Sequence, residues 1–308
     1  VLKNRQVILL AIEPTYNGIV TPTPAADAIL VENLSVSDSE LKLIQRPTIE
    51  ASLATRASIF GGRLKEITFD VELKGSGTAG TPPEVGQALR ACSMGETIAP
   101  GTSVIYAPVS TGQESAAIWR YLDGRLEKFS GIRGEVAFAL ETGNKGMASF
   151  TLTGHFVDAA DTPLPAPTYD TSLPVPNIGG AFAIGGYGAI INAMNVSLSN
   201  TIATAPDFNS SDGFGEVRIT KRDVQGSFDP EDVLVATNDF DGQFIANTAM
   251  ALTTGPIGTV AGNIITFDLP AVSYRARGEG ERDGVQTLDM GFGAADVSGD
   301  DGIVITFT

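Results

Sequence analysis

The chain has 308 residues, 43% of them apolar, with 35 Gly, 17 Pro, one Trp and one His, which is enough apolar material for real cores and excludes a disordered chain. Its net charge of −16 divides into −3 over residues 1–160 and −13 over the rest, and so negative a surface repels duplex phosphate instead of gripping it. A single cysteine excludes an internal disulfide framework and a cysteine zinc cage, and a single histidine leaves no His cluster for a metal.

In chain order, "VLKNRQVILLAIEP" opens with basic residues and an apolar run too short to cross a bilayer. Glu13 and Pro14 follow where a signal peptide would place its cleavage site, so a soluble protein of a reducing compartment is expected. "AILVENLSVS" (28–37) alternates with period two and predicts a strand. The next stretch, 37–62, is too long for a hairpin connection and carries Leu41, Leu43, Ile44, Ile49, Leu53, Ile59 and Phe60, with a short helix conceivable near 47–57. Seven large apolar side chains in a loop need burial.

"LKEITFDVEL" (64–73) reads as a strand with Ile67, Phe69, Val71 and Leu73 on the core face. Glu66, Thr68, Asp70, Glu72 and then Lys74 fall on the other, facing water. A literal G-x-G-x-x-G follows at Gly75, Gly77 and Gly80, but Thr81, Pro82 and Pro83 separate it from the helix predicted over 82–93. Thr81 is the expected N-cap and Pro82 the first helical residue, so the glycines cannot present helix amides to a pyrophosphate. They read as a flexible bridge from strand to helix. Cys92 shares the helix's apolar face with Val85 and Leu89 and reads as a core thiol.

Strands follow at 102–109, 132–140 and 147–156, separated by "LDGR" and "TGNKG" turns, with His155 at an outward position as a satisfied or solvated side chain. Five prolines between His155 and Asn177 mark a stiff linker, about 158–177. Beyond it, strands are expected at 191–199, 216–229, 263–276, 285–293 and 302–308, a long loop at 199–215 and a helix at 237–250. "NDFDG" and "DVSGDDG" lack the ligand spacing of a calcium loop and read as acidic turns.

The two sides of the linker repeat one order: strand, long loop, strand, helix, strand, closing strands. Residues 32–40 answer 194–202, 67–75 answer 223–231, and "MASFTLTGHF" answers "VQTLDMGFGA". The fold class expected is mainly β, as two tandem modules over 1–160 and 161–308.

The segment "FDVELKGSGTAGTPPEVGQALRACSMGETIAPGTSVIYAPVS" (69–110) resembles phage tail tube proteins of long non-contractile tails, through "VEL", "GSGTAG", the Pro before the helix, "ALRAC" and "SVIYAPVS". "IEPTYNGIVTPTPAADAILVENLSV" (12–36) and "YLDGRLEKFSGIRGEVAFAL" (121–140) resemble that family's entry segment and following hairpin. The resemblance implies β-sandwich or barrel modules, each flanked by a helix, and no catalysis, cofactor or metal. It implies assembly as stacked rings in the virion tail, built in the host cytoplasm, with Leu41, Leu43, Ile44, Ile49, Leu53, Ile59 and Phe60 against the neighbouring ring and Glu66, Thr68, Asp70 and Glu72 facing the lumen or solvent. Its partners would be further copies, a tape-measure protein, and tail terminator and distal tail proteins, with genomic DNA passing through unbound. Two modules per chain would close a six-module ring as a trimer. A non-catalytic β-sandwich that binds carbohydrate or decorates a capsid or baseplate is the alternative.

Overall fold

The computed structural model describes all 308 residues. In the first half, β1 (Gln6–Ile12), β2 (Ala28–Ile29), β3 (Glu32–Ser39), β4 (Leu43–Ile44), β5 (Ile59–Phe60) and β6 (Leu64–Glu72) precede α1 (Gly86–Ala91). Then come β7 (Met94–Ala99), β8 (Ser103–Pro108), β9 (Ala116–Leu122), β10 (Arg125–Glu141) and β11 (Met147–Asp161). The second half contains β12 (Phe182–Ile184), β13 (Ile191–Ser197), β14 (Thr201–Pro206), β15 (Phe214–Lys221), β16 (Gln225–Pro230) and α2 (Phe240–Ile245). It ends with β17 (Met250–Thr254), β18 (Ile265–Arg282), β19 (Val285–Ala294) and β20 (Val304–Phe307). The protein is mainly β, as the alternating patterns predict.

Eight of these strands form one unbroken antiparallel run, in the order β3-β6-β11-β10-β13-β16-β19-β18. The seam between the halves is the pairing of Ala137–Glu141 with Ala193–Ser197. A second seam joins the chain's end to its first half, where β20 pairs with both β18 and β8. Over the long run lie β2-β1-β9 on one side and β7-β8-β20 with β12-β17 on the other, and α1 packs among β1, β7, β9 and β10.

Two long strands bind these layers together. The first part of β10 pairs with β9 and its last part with β13 along the same edge, and the pairing breaks between Phe129 and Ile132. Gly131 sits at that break with φ +58°, the left-handed geometry in which glycine carries no Cβ penalty. On the opposite edge β11 runs the whole length. In β18 the register shifts between Tyr274 and Ala276. Beyond Val272 the edge that β17 occupies is unpaired, as is the outer edge of β3.

One core of 48 buried residues spans both halves. Phe138 meets Phe267 edge to face with ring centres 5.3 Å apart, and Tyr106 meets Phe307 at 5.9 Å. Such contacts contribute roughly 0.5–1.5 kcal/mol each beyond area burial. Polar bonds reinforce the join: buried Arg133 holds Glu216 at 2.7 Å, and Asn200 donates to the Cys92 and Gly134 carbonyls. Cys92 is fully buried, as its helical spacing predicts, and burial pushes its thiol well above the ordinary range.

Several expectations are corrected. Strand 28–37 is split into β2 and β3 at Leu30–Val31, and 216–229 into β15 and β16 at Arg222–Val224, because the two parts of each pair with different strands. Residues 47–57 form no helix. Both real helices are six residues long, and the N-cap of α1 is Val85, with no side-chain bond, so Thr81 caps nothing. Lys74 lies past the end of β6 and turns inward, where it pairs with Glu84 at 3.3 Å and donates to the Asp170 carbonyl at 3.0 Å. His155 is 7% exposed, not outward. Residues 162–175 are extended without a strand, tied to the first half at Gly124 and Pro24 by backbone bonds from Thr162 and Thr168.

The glycine-rich stretch is a docking bracket. The Gly77 amide donates to the Gly262 carbonyl at 3.0 Å, and the Gly75 amide to the Asn263 side chain at 2.7 Å. A Cβ at Gly75 would stand 2.0 Å from the Gly262 oxygen. The backbones touch there, which explains glycine without any nucleotide.

Candidate functional site

The long sheet has one core face and one polar face. Cross-strand neighbours in an antiparallel ladder share a face, so the register assigns every position. Ile67, Phe69 and Val71 of β6 are 1–2% exposed and continue into Phe150, Phe138, Met194, Phe228 and Phe292 on the following strands. On the other face, Glu66, Thr68, Asp70 and Glu72 are half-buried and share their rows with Thr153, Thr151, Ser149 and Met147 of β11. Ser35 and Ser37 of β3 stand beside Thr68 and Glu66.

The row continues through Glu135, Ala137, Ala139 and Glu141 on β10, and Ala193, Asn195 and Ser197 on β13. It ends with Gln225, Ser227 and Asp229 on β16, Asp289 and Gly291 on β19, and Ala276, Gly278 and Gly280 on β18. Small side chains dominate, and a shallow hollow of about 550 Å³ opens between β10, β13, β16 and β19. The sequence pattern identified this face on β6 alone; its other members needed the pairing, because Ala, Ser and Gly give no alternation signal.

The electrostatics are lopsided. Carboxylates at positions 66, 70, 72, 135, 141, 229 and 289 share the face, while its cations are spoken for. Arg275 lies over Gly293 and pairs with Asp223 at 2.8 Å. Arg282 pairs with Asp229 at 2.8 Å, and Lys145 bridges Glu72 and Glu32. Asp229 also accepts the Asn192 and Ala193 amides, at 2.8 and 2.7 Å, where β13 shifts register against β16. Burial raises the Glu135 carboxyl above its ordinary range.

The strands' alternating directions put their connections at two ends. At one end, residues 40–62 leave as an arm whose only ladder is β4·β5, and β14·β15 forms a second hairpin beside it. The 199–215 stretch is thus largely the limbs and tip of a hairpin. The arm's apolar side chains are exposed: Leu41 47%, Leu43 52%, Ile44 54%, Ile49 104%, Leu53 107%, Ile59 52% and Phe60 56%. Its base is anchored, with Lys42 4.2 Å above the Phe214 ring and Gly62 against the Asp212 backbone. At the other end lie the turns 142–146 and 283–284, the start of β13 and the end of β16.

Beneath the two arms, His155 bonds Asp212 at 2.6 Å and the Tyr16 hydroxyl at 2.9 Å, and that hydroxyl accepts the Val217 amide. Burial pushes the Tyr16 phenol up to about 12. The imidazole is occupied as a strut. The acidic turns are occupied likewise: Asp239 caps α2 by accepting the Gly242 amide, and Asp301 accepts the Val297 and Ser298 amides.

A sheet with one acidic, small-residue face, free edges at both margins and an exposed apolar arm is built to meet copies of itself. A comparison with curated proteins finds no match. The model of the family described as phage tail tube protein matches residues 3–308. The chain belongs to that family, and is a non-catalytic structural protein of the virion tail that self-assembles into a tube.

Proposed function

We propose that three copies close a ring, that each copy supplies two modules of one duplicated plan, and that stacked rings form a negatively lined conduit for double-stranded DNA in a long non-contractile tail. The observation that carries this reading is the repeated strand order. β3-β6-β11-β10 is followed by β13-β16-β19-β18, each quartet with its hairpin arm after the first strand and its helix after the second. The first pairing of each quartet also contains a register shift, between Glu32 and Ser35 in β3·β6 and between Ile191 and Met194 in β13·β16.

The internal seam β10·β13 then serves as the template for the external one. The free edge of β18 beyond Val272 corresponds to the β10 edge that takes β13, and the free edge of β3 corresponds to that of β13. Pairing them between copies satisfies the exposed backbone groups, and repeated rotation closes the sheet into a barrel without edges. Its acidic inner face gives phosphate nothing to hold, since phosphate contacts supply non-specific affinity for DNA. The arm 37–62 is the principal contact between rings, and Glu66, Thr68, Asp70 and Glu72 belong to the lumen wall. A tape-measure protein fills the tube before DNA does, and terminator and distal tail proteins cap it.

Electron microscopy of the assembled protein tests the reading. Rings of three chains with sixfold-like averages are expected, together with new hydrogen-exchange protection of residues 276–282 and 33–38. Six chains per ring, or discrete unassembled particles at high concentration, would overturn it.

A further inference from the structure

The two ends of the sheet differ in charge as well as shape. Residues 40–63 carry Lys42, Arg46, Arg56 and Arg63 against Glu40 and Glu50, a net positive arm on a chain of net charge −16. At the opposite end stand Glu141, Asp232, Glu281 and Asp283, and the cations of those turns, Lys145 and Arg282, already hold ion pairs. That same acidic end contains an apolar cavity of about 310 Å³ at the β10·β13 seam. Ile178 and Ile190, 60% and 62% exposed, stand at its mouth, and Leu140, Ala189 and Ile257 line its interior.

We infer that this cavity is the socket for the arm of a second copy, in the ring stacked next to it. The inference rests on the stacking proposed above and adds where the arm lands. Ile49 and Leu53, fully exposed at the arm's tip, supply apolar side chains of the size the cavity takes. Arg46, which holds no ion pair within its own chain while Arg56 pairs with Glu50, then approaches Glu141 and Asp232, so like ends repel and unlike ends attract. An arm at one end and its socket at the other make a head-to-tail contact, which cannot close on itself and propagates as a filament. Burying exposed aliphatic side chains supplies the adhesion, and the charge sets the polarity.

The test uses the full chain in four forms: wild type, the arm variant Leu53→Asp, and the socket variants Ile190→Asp and Ile178→Asp. All three substituted side chains are exposed, so circular dichroism is expected to match wild type. Each variant alone is expected to lose tubes in negative stain while rings persist. Mixing Leu53→Asp with Ile190→Asp leaves one intact arm and one intact socket, and ring pairs that grow no further are expected. Wild-type tubes together with full-length tubes from both socket variants would overturn the socket and leave the tube reading standing. A mixture that yields single rings only would overturn it too. A wild-type chain that forms no tubes would instead overturn the reading on which the socket rests.

Discussion

At the residue scale, two sites hold the halves and the arms in place. Gly75 and Gly262 touch backbone to backbone, and a Cβ at Gly75 has no side chain to push aside, only the Gly262 carbonyl at 2.0 Å. Gly75→Ala is therefore expected to destabilise the fold by about 1–3 kcal/mol, the range for overpacking a tight contact, read as a lower urea midpoint at unchanged slope. A variant as stable as wild type would show that the bracket yields freely. Beneath the arms, burial raises the Asp212 carboxyl, but bonds from Ser210, His155 and the Phe214 amide outweigh it and leave the group below its ordinary range. Glu216 is likewise raised by burial and lowered further by Arg133 and Arg218. Carboxyls depressed in the folded state stabilise it above their unfolded pKa of about 4, and that contribution disappears as pH falls through the folded values. Hydrogen exchange over 199–221, taken relative to its intrinsic rate at each pH, is expected to accelerate on acidification below about pH 4. Asp212→Asn should accelerate it already at neutral pH and flatten its acid dependence.

At the element scale, the arm is separable from the sheet that bears it. Residues 45–58 include no strand or helix and none of the core, while β4, β5 and the Lys42–Phe214 contact form its base. Replacing 45–58 with a short Gly-containing turn is expected to leave thermal unfolding within a few degrees of wild type and to abolish tubes. Normal tubes from that deletion would remove the arm from the ring-to-ring contact. The arm's length and apolar content were legible in the sequence, because seven large side chains without period cannot be an ordinary loop. The second arm was not legible as a hairpin, since "TIATAP" and "GEVRITK" are separated by a polar tip that looks like plain connection. The His155 strut was hidden too: its partners Tyr16 and Asp212 lie 139 and 57 residues away.

At the scale of the whole molecule, potential and topology act together. The acidic face leaves no unpaired cation along the β6 to β19 rows, so DNA inside the proposed barrel meets repulsion from every side and stays centred. Glu66→Lys combined with Asp289→Lys is expected to preserve tubes and to slow DNA release from reconstituted particles. The slowing should be largest at low ionic strength and fade near 1 M salt, where the screening length is about 3 Å. Release as fast as wild type at low salt would separate the wall charge from transport.

The sequence by itself determined the class of structure, the polarity of β6, the burial of Cys92 and the failure of the glycine motif as a nucleotide site. Each follows from local rules: period-two alternation, helical spacing, and proline between glycine and helix. The motifs over 69–110 also carry the family resemblance. Only the tertiary structure decided which polar positions share one wall, since Ala139, Asn195, Ser227 and Gly291 are joined by strand pairing across more than 150 residues of chain. Tertiary structure also decided that β20 returns to β8, that Lys74 turns inward and that the β3 and β18 edges stay open. These are matters of which backbone groups find partners far along the chain, and no local pattern encodes a partner's address.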